Sequence, residues 1–171
     1  MKMSGLLPSS FHLDIQPISL LKYQLITSQV LPIDQEKAFE FFENPRNLSY
    51  ITPPWLDFCL LNQDGTTGAH ENAEFDYTIK LLGIKIRWRS RISDYRPPER
   101  FTDIQLKGPY KSWVHLHVLE KVPEGTRMKD RVTYTLYLPA LMVHPFLIRK
   151  NLIDIFSYRA VKIAEWADKL K

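Results

Sequence analysis

The chain has 171 residues, enough for one domain with a real core, and its 44% apolar and 25% charged residues mark an ordinary globular protein. Its formal charge of +4, with no run of Lys or Arg, gives weak steering toward anions and no nucleic-acid patch. A single cysteine, Cys59, excludes an intramolecular disulfide and a cysteine-based zinc cage, and it reads as a small apolar strand residue.

The first residues, MKMSGLLPSSFHLDIQPISLL, hold short apolar pieces broken by Pro8, His12, Asp14 and Pro17, which is not a signal-peptide pattern. No apolar run approaches the roughly 20 residues that a membrane span needs. The expectation is a cytoplasmic protein with an N-terminal arm over 1–21 and one domain over 22–171.

KYQLITSQVLPI (22–33) predicts a strand ended by Pro32. Asp34 caps a helix, DQEKAFEFFENP, with Glu36 in its first turn. Pro45 interrupts that helix, and RNLSYITPPW predicts a second short one stopped by Pro53 and Pro54. WLDFCLLN (55–62) predicts a strand. In NAEFDYTIKLLG, Phe75, Tyr77, Ile79 and Leu81 share one face. In IKIRWRSRISDY, Ile84, Ile86, Trp88, Ser90 and Ile92 oppose Lys85, Arg87, Arg89 and Arg91, the period of a half-buried antiparallel strand with a solvated cationic face. RFTDIQLKG, KSWVHLHVLEKV and RMKDRVTYTLYLP add three more strands behind PPER and PEGT turns. From His144 to Leu170 the period is helical, with Leu152, Phe156, Ile163, Trp166 and Leu170 on one stripe, about 40 Å long if wholly α-helical. The order is strand, two short helices, six strands, long helix. It predicts an α+β fold in which a curved seven-stranded antiparallel sheet wraps the terminal helix.

Several stretches carry a resemblance: AFEFFENPRNLSYITPPWLDF, FTDIQLKGPYKSWVHLHVLE, TRMKDRVTYTL and IFSYRA. Over about 22–168 the chain resembles the helix-grip superfamily of START-like lipid-transfer domains and aromatic polyketide cyclases (SRPBCC), and within it the bacterial cyclase/dehydrase branch. The resemblance implies a cavity between sheet and helix. It does not choose a ligand, and fold membership does not separate carriers from catalysts.

The alternation of SWVHLHVLE places Trp113, His115 and His117 on one strand face. RMKDRVTYT places Met128, Asp130, Val132 and Tyr134 together against Lys129, Arg131, Thr133 and Thr135, so the Met128–Tyr134 face is the inner one. Hairpin pairing then brings the histidines beside Asp130, with Asp103 and Gln105 on the preceding strand. Arg159 interrupts the apolar stripe of the terminal helix. It either meets Asp103 or Asp130 inside or reaches solvent along its stem. The predicted ligand-contacting set is Tyr77, Trp88, Asp103, Gln105, Trp113, His115, His117, Asp130, Tyr134 and Arg159.

Three roles stay open for this polar group: a buried network that satisfies itself, an anchor for the polar end of an apolar ligand, and an acid/base set drawn from His115, His117 and Asp130. The leading expectation is binding or transport of a hydrophobic molecule, lipid-, quinone- or polyketide-like. The alternative is an aromatic polyketide cyclase or dehydratase. No cofactor and no metal is expected, since two histidines would need carboxylates alone to complete a shell. The expected partner is the small molecule, with no nucleic acid; transient membrane contact stays open and no oligomeric state is assigned. His12, His70 and His144 read as surface residues, and Trp55 and Trp166 as core. Ile104, Leu106, Val114, Leu116 and Val118 form an outward apolar patch, for which the N-terminal arm is the expected cover and a second copy of the chain the alternative.

Overall fold

The computed structural model describes residues 7–61, 68–81 and 83–170. Its sheet contains strands β1 (His12–Pro17), β2 (Lys22–Leu31), β3 (Cys59–Leu60), β4 (Glu74–Leu81), β5 (Ile84–Arg96), β6 (Arg100–Lys107), β7 (Ser112–Val122) and β8 (Gly125–Thr135). Helix α1 (Gln35–Glu43) and the single turn α2 (Leu48–Ile51) follow β2, and α3 (Arg149–Asp168) ends the fold. The strand order is β1-β2-β8-β7-β6-β5-β4-β3, with every pairing antiparallel.

The sheet therefore has eight strands rather than seven. The additional one is β1, in the segment read as an arm: HLDIQP pairs with β2, Ile15 opposite Leu25. Ile15 is buried with Leu25, Val132, Leu152 and Phe156, and Arg149 Nη1 donates to its carbonyl at 2.6 Å. Pro17 lies at the end of an edge strand, where a missing N–H is tolerated. At the other edge, most of the strand expected over 55–62 is absent: Pro54–Leu56 form a 3-10 turn and only Cys59–Leu60 pair with β4, while residue 62 lies outside the described residues.

Placing β1 beside β2 removes it as the cover of the outward patch, because β8 lies between β2 and β7. Leu106 and Val114 are accordingly exposed, while Ile104, Leu116 and Val118 are half-buried. The three arginines on the cationic face of β5 are matched locally. Arg87 and Arg89 pair with Asp76 at 3.1 and 2.8 Å, and Arg91 pairs with Glu74 at 2.7 Å.

The regular terminal helix begins at Arg149, five residues later than the periodicity suggests. Residues His144–Ile148 form one wider π-type turn, and Pro145 sits in it without an N–H to give. At 20 residues, α3 is about 30 Å long. His144 is buried rather than on the surface: its ring stacks on Tyr23 at 3.8 Å and its Nε2 lies 2.8 Å from the Tyr134 hydroxyl. Trp166 packs on Phe41 at 3.9 Å, but Trp55 is exposed instead of in the core. Asp34 stands at the N-cap of α1 without a side-chain cap bond.

Candidate functional site

The inner faces of β4 to β7, the α1–α2 segment and the first half of α3 enclose a cavity of about 180 Å³. That is below the roughly 300–1,000 Å³ of pockets that take drug-sized ligands. Its walls include Phe41, Phe42, Phe58, Phe75 and Phe156, and Tyr77 stacks on Trp88 at 5.9 Å. The ring of Trp113 meets Trp88 edge-on at 5.5 Å and lies 4.8 Å from Tyr110. Alternation in β4 and β5 aims these rings inward, while the two short helices close the side opposite the sheet.

One stretch of the wall is polar. His115 and His117 project from β7, Asp103 from β6, Ser90 from β5 and Arg159 from α3. The ladders bring them together: His115 pairs with Asp103, His117 with Asp130, and Ser90 with Gln105. Asp130 lies behind the histidines. Its Oδ1 is 2.9 Å from His115 Nε2 and 2.8 Å from His117 Nδ1, and its Oδ2 accepts from Thr27 Oγ1 at 3.2 Å. The His117 contact is short but poorly directed as a hydrogen bond. The two imidazole centroids lie 3.8 Å apart with the rings tilted by 33°, and His117 stacks on Phe101 at 4.4 Å.

Of the predicted set, Tyr77, Trp88, Asp103, Trp113, His115, His117 and Arg159 line the cavity. Three members have other places. Gln105 donates from Nε2 to the Tyr110 carbonyl at 2.8 Å, holding the β6–β7 turn. Tyr134 is fully buried in the cluster that holds Ile15, Leu25, Val132 and Phe156, its hydroxyl committed to His144. Asp130 lines only a small adjoining space beside Arg159 and Phe156. Arg159 is turned inward, with its guanidinium 6.0 Å from the Phe156 ring, yet it closes no ion pair with Asp103 or Asp130. Sequence reasoning missed Thr27 and the α1–α2 wall. On β2, Leu25, Thr27 and Gln29 are buried in alternation with half-buried neighbours, but Ile26 and Val30 make the opposite face as apolar in sequence, so no period of two marks the inner face of Thr27 there.

Burial acts on Asp103, His117, Asp130 and Arg159. It raises Asp103 to about 6, against the opposing influence of His115, Ser90 and Arg159. It lowers His117 to about 3, with His115 adding to the effect and Asp130 opposing it. Burial also pushes Asp130 up, but attraction to His115 and the contacts with both rings hold it well below the usual carboxylate range. For Arg159 burial lowers the guanidinium, with Asp130 and Asp103 opposing. Near neutral pH the site thus contains a neutral His117 beside an ionised Asp130. A neutral ring that faces a carboxylate carries its proton on the facing nitrogen, so Nε2 of His117 remains an acceptor.

One ring nitrogen each of His115 and His117 and an Asp130 oxygen lie within 4.8 Å of one another, close enough to share a metal ion. Both nitrogens would have to present lone pairs in place of N–H groups, and Arg159 adds a cation to the same surroundings. The donor set is possible for a metal, and its contacts are equally those of a carboxylate bridging two N–H groups.

No family model matches the chain, and no curated protein matches it. Solved structures do share its fold. Protein Ms6760 from Mycobacterium smegmatis is 14% identical, with a TM-score of 0.65 over 94% of this chain and 99% of that one. TTHA0849 from Thermus thermophilus is 17% identical, with a TM-score of 0.62 over 86% of this chain and 99% of its own. The di-domain ARO/CYC StfQ of the steffimycin biosynthetic pathway is 13% identical, with a TM-score of 0.66 over 88% of this chain and 52% of that one. At these identities the likeness is one of fold: a curved antiparallel sheet closed by a long C-terminal helix.

Proposed function

We propose that the chain is a START-like domain of the cyclase/dehydrase branch that binds a compact, mostly apolar molecule. Its polar end rests on Asp103, His115, His117 and Arg159. The observation that carries this reading is a set of buried polar atoms, in residues lining the aromatic cavity, that have no hydrogen-bond partner among the described residues: Asp103 Oδ1, Arg159 Nε and Trp88 Nε1. Leaving such a group unsatisfied costs about 1–3 kcal/mol, so a ligand that pairs these atoms gains that much from each. A ligand with a hydroxyl or carbonyl end supplies the missing partners. The cavity volume favours a ring-sized ligand, quinone- or polyketide-like, over a long acyl chain.

The His115–Asp130 hydrogen bond favours a second reading, an aromatic polyketide cyclase or dehydratase, because a ring oriented by a carboxylate suits proton transfer. Titration with an apolar fluorescent naphthylamine tests the shared premise. Ile79 lines the cavity from β4, and Ile79→Trp should fill much of it at a stability cost of about 1–3 kcal/mol. Probe affinity should fall at least about tenfold, a loss of about 1.4 kcal/mol in binding. Binding that is unchanged in a folded Ile79→Trp protein would place the probe elsewhere and remove support for the cavity as a binding site.

A further inference from the structure

Four connections meet at one end of the sheet, and three of them carry strongly exposed apolar side chains. The β1–β2 turn presents Ile18 and Leu20, 52% and 72% exposed. The β8–α3 link presents Leu138, Met142 and Phe146, 66%, 84% and 81% exposed, and Ile84, 67% exposed, opens β5. Strand pairing places these segments together. Thr135 is opposite both Lys22 and Ser112, Leu136 N donates to Leu21 O, and Lys111 N donates to Thr135 O. Lys107 pairs with Arg89, so the start of β5 and its turn from β4 extend past β6 at this same end.

The charge here is one-sided. Residues 18–22, 80–85, 107–111 and 136–150 contain no Asp or Glu. Lys22, Lys80, Lys85, Lys107 and Lys111 are all exposed, and none is in an ion pair among the described residues. Several cations elsewhere on the fold are matched: Lys121 with Glu36, Lys129 with Glu120, and three arginines of β5 with β4 carboxylates.

We propose that this end docks on the surface of an anionic phospholipid bilayer. The apolar side chains stand on separate protrusions rather than along one groove, a shape suited to entry between headgroups, with the lysines left at phosphate level. A second copy is a poor occupant, because a two-fold contact would set the same unmatched lysines against themselves. The start of the described chain is no cover either: Ser10 hydrogen-bonds Val30, at the opposite end of β2. This inference is independent of the ligand, so its failure would leave the cavity reading intact.

Co-sedimentation of the full chain with vesicles tests it. The protein should bind vesicles containing phosphatidylglycerol, bind phosphatidylcholine alone far less, and be released by salt. Met142→Glu with Phe146→Glu should lower partitioning more than about tenfold. Lys107→Gln with Lys111→Gln should lower it about fivefold per lysine. All four side chains are exposed, so the thermal melt should not move. Lys121→Gln, at the other end of β7, should leave partitioning unchanged. No binding to the anionic vesicles at low salt would overturn the proposal, as would an equal loss on Lys121→Gln. A concentration-dependent dimer that Phe146→Glu abolishes, without vesicle binding, would reassign the surface to a second copy.

Discussion

His117 and Asp130 are direct partners across the β7–β8 ladder, and ring Nδ1 stands 2.8 Å from the carboxylate oxygen that His115 also reaches. One buried anion thus organises two rings that a cavity ligand would touch. Asp130→Ala should destabilise the fold by about 3–5 kcal/mol, because it leaves both imidazoles and Thr27 without their common counterpart. Urea unfolding measures this. A loss below about 1 kcal/mol would mean that the rings hold their places without the carboxylate.

Stability should depend on pH through two groups that oppose each other. Asp103 rises from the ordinary 3.8 to about 6 in the fold, so between these values only the native state holds its proton, and stability falls as pH rises. His117 moves from 6.5 to about 3, so in that interval only the unfolded state holds the proton, and stability rises with pH. From about pH 4 to 6 the two slopes nearly cancel. Asp130, held well below 3.8, adds its dependence under that window. Asp103→Asn should therefore uncover a rise of about 1.4 kcal/mol per pH unit. A slope equal to that of the unsubstituted protein would show that Asp103 is not a proton-holding group in the fold.

Substituting the histidines should separate the two functional readings. If they anchor a ligand, His115→Ala and His117→Ala weaken binding and no turnover of a polyketide-like substrate is found. If they move protons, turnover is lost while probe binding largely remains. Elemental analysis of the purified protein should find no stoichiometric zinc, iron or copper. One equivalent of metal per chain would replace the bridging carboxylate by a His-His-Asp ligand set.

A chain starting at Lys22 should be less stable and should self-associate. Loss of β1 uncovers the β2 edge and removes Ile15 from the core, which alone is worth about 1.5–3 kcal/mol. Equilibrium unfolding and sedimentation velocity read both effects. An unchanged melt with an unchanged monomeric mass would show β1 to be dispensable.

Strand facing was legible where hydrophobic period and burial coincide. Phe75, Tyr77 and Ile79 alternate with Glu74, Asp76 and Lys80 because one sheet face is covered and the other is wet, although Thr78 on the outer alternation is also buried. The same rule put His115, His117 and Asp130 on one inner face, and hairpin pairing brought them within contact distance. These are properties of local period and of neighbouring strands, and a linear sequence contains both.

What the sequence alone determined, then, is an antiparallel sheet against a terminal helix, with a histidine–carboxylate group on the sheet's inner face. Only the tertiary structure decided which neighbours compete for each side chain. Gln105 turns to the Tyr110 backbone, Tyr134 to His144, and Arg159 inward without a partner, because bonds across 5, 10 or more residues depend on turns and packing. The HLDIQP segment became a strand because β2 offered an edge and Ile15 a place beside Leu25, neither visible in a short stretch that holds a histidine, an aspartate and a proline. The lysine-rich apolar end is likewise assembled from four separated segments. Each is an ordinary turn by itself, and the sheet register is what gathers them onto one surface.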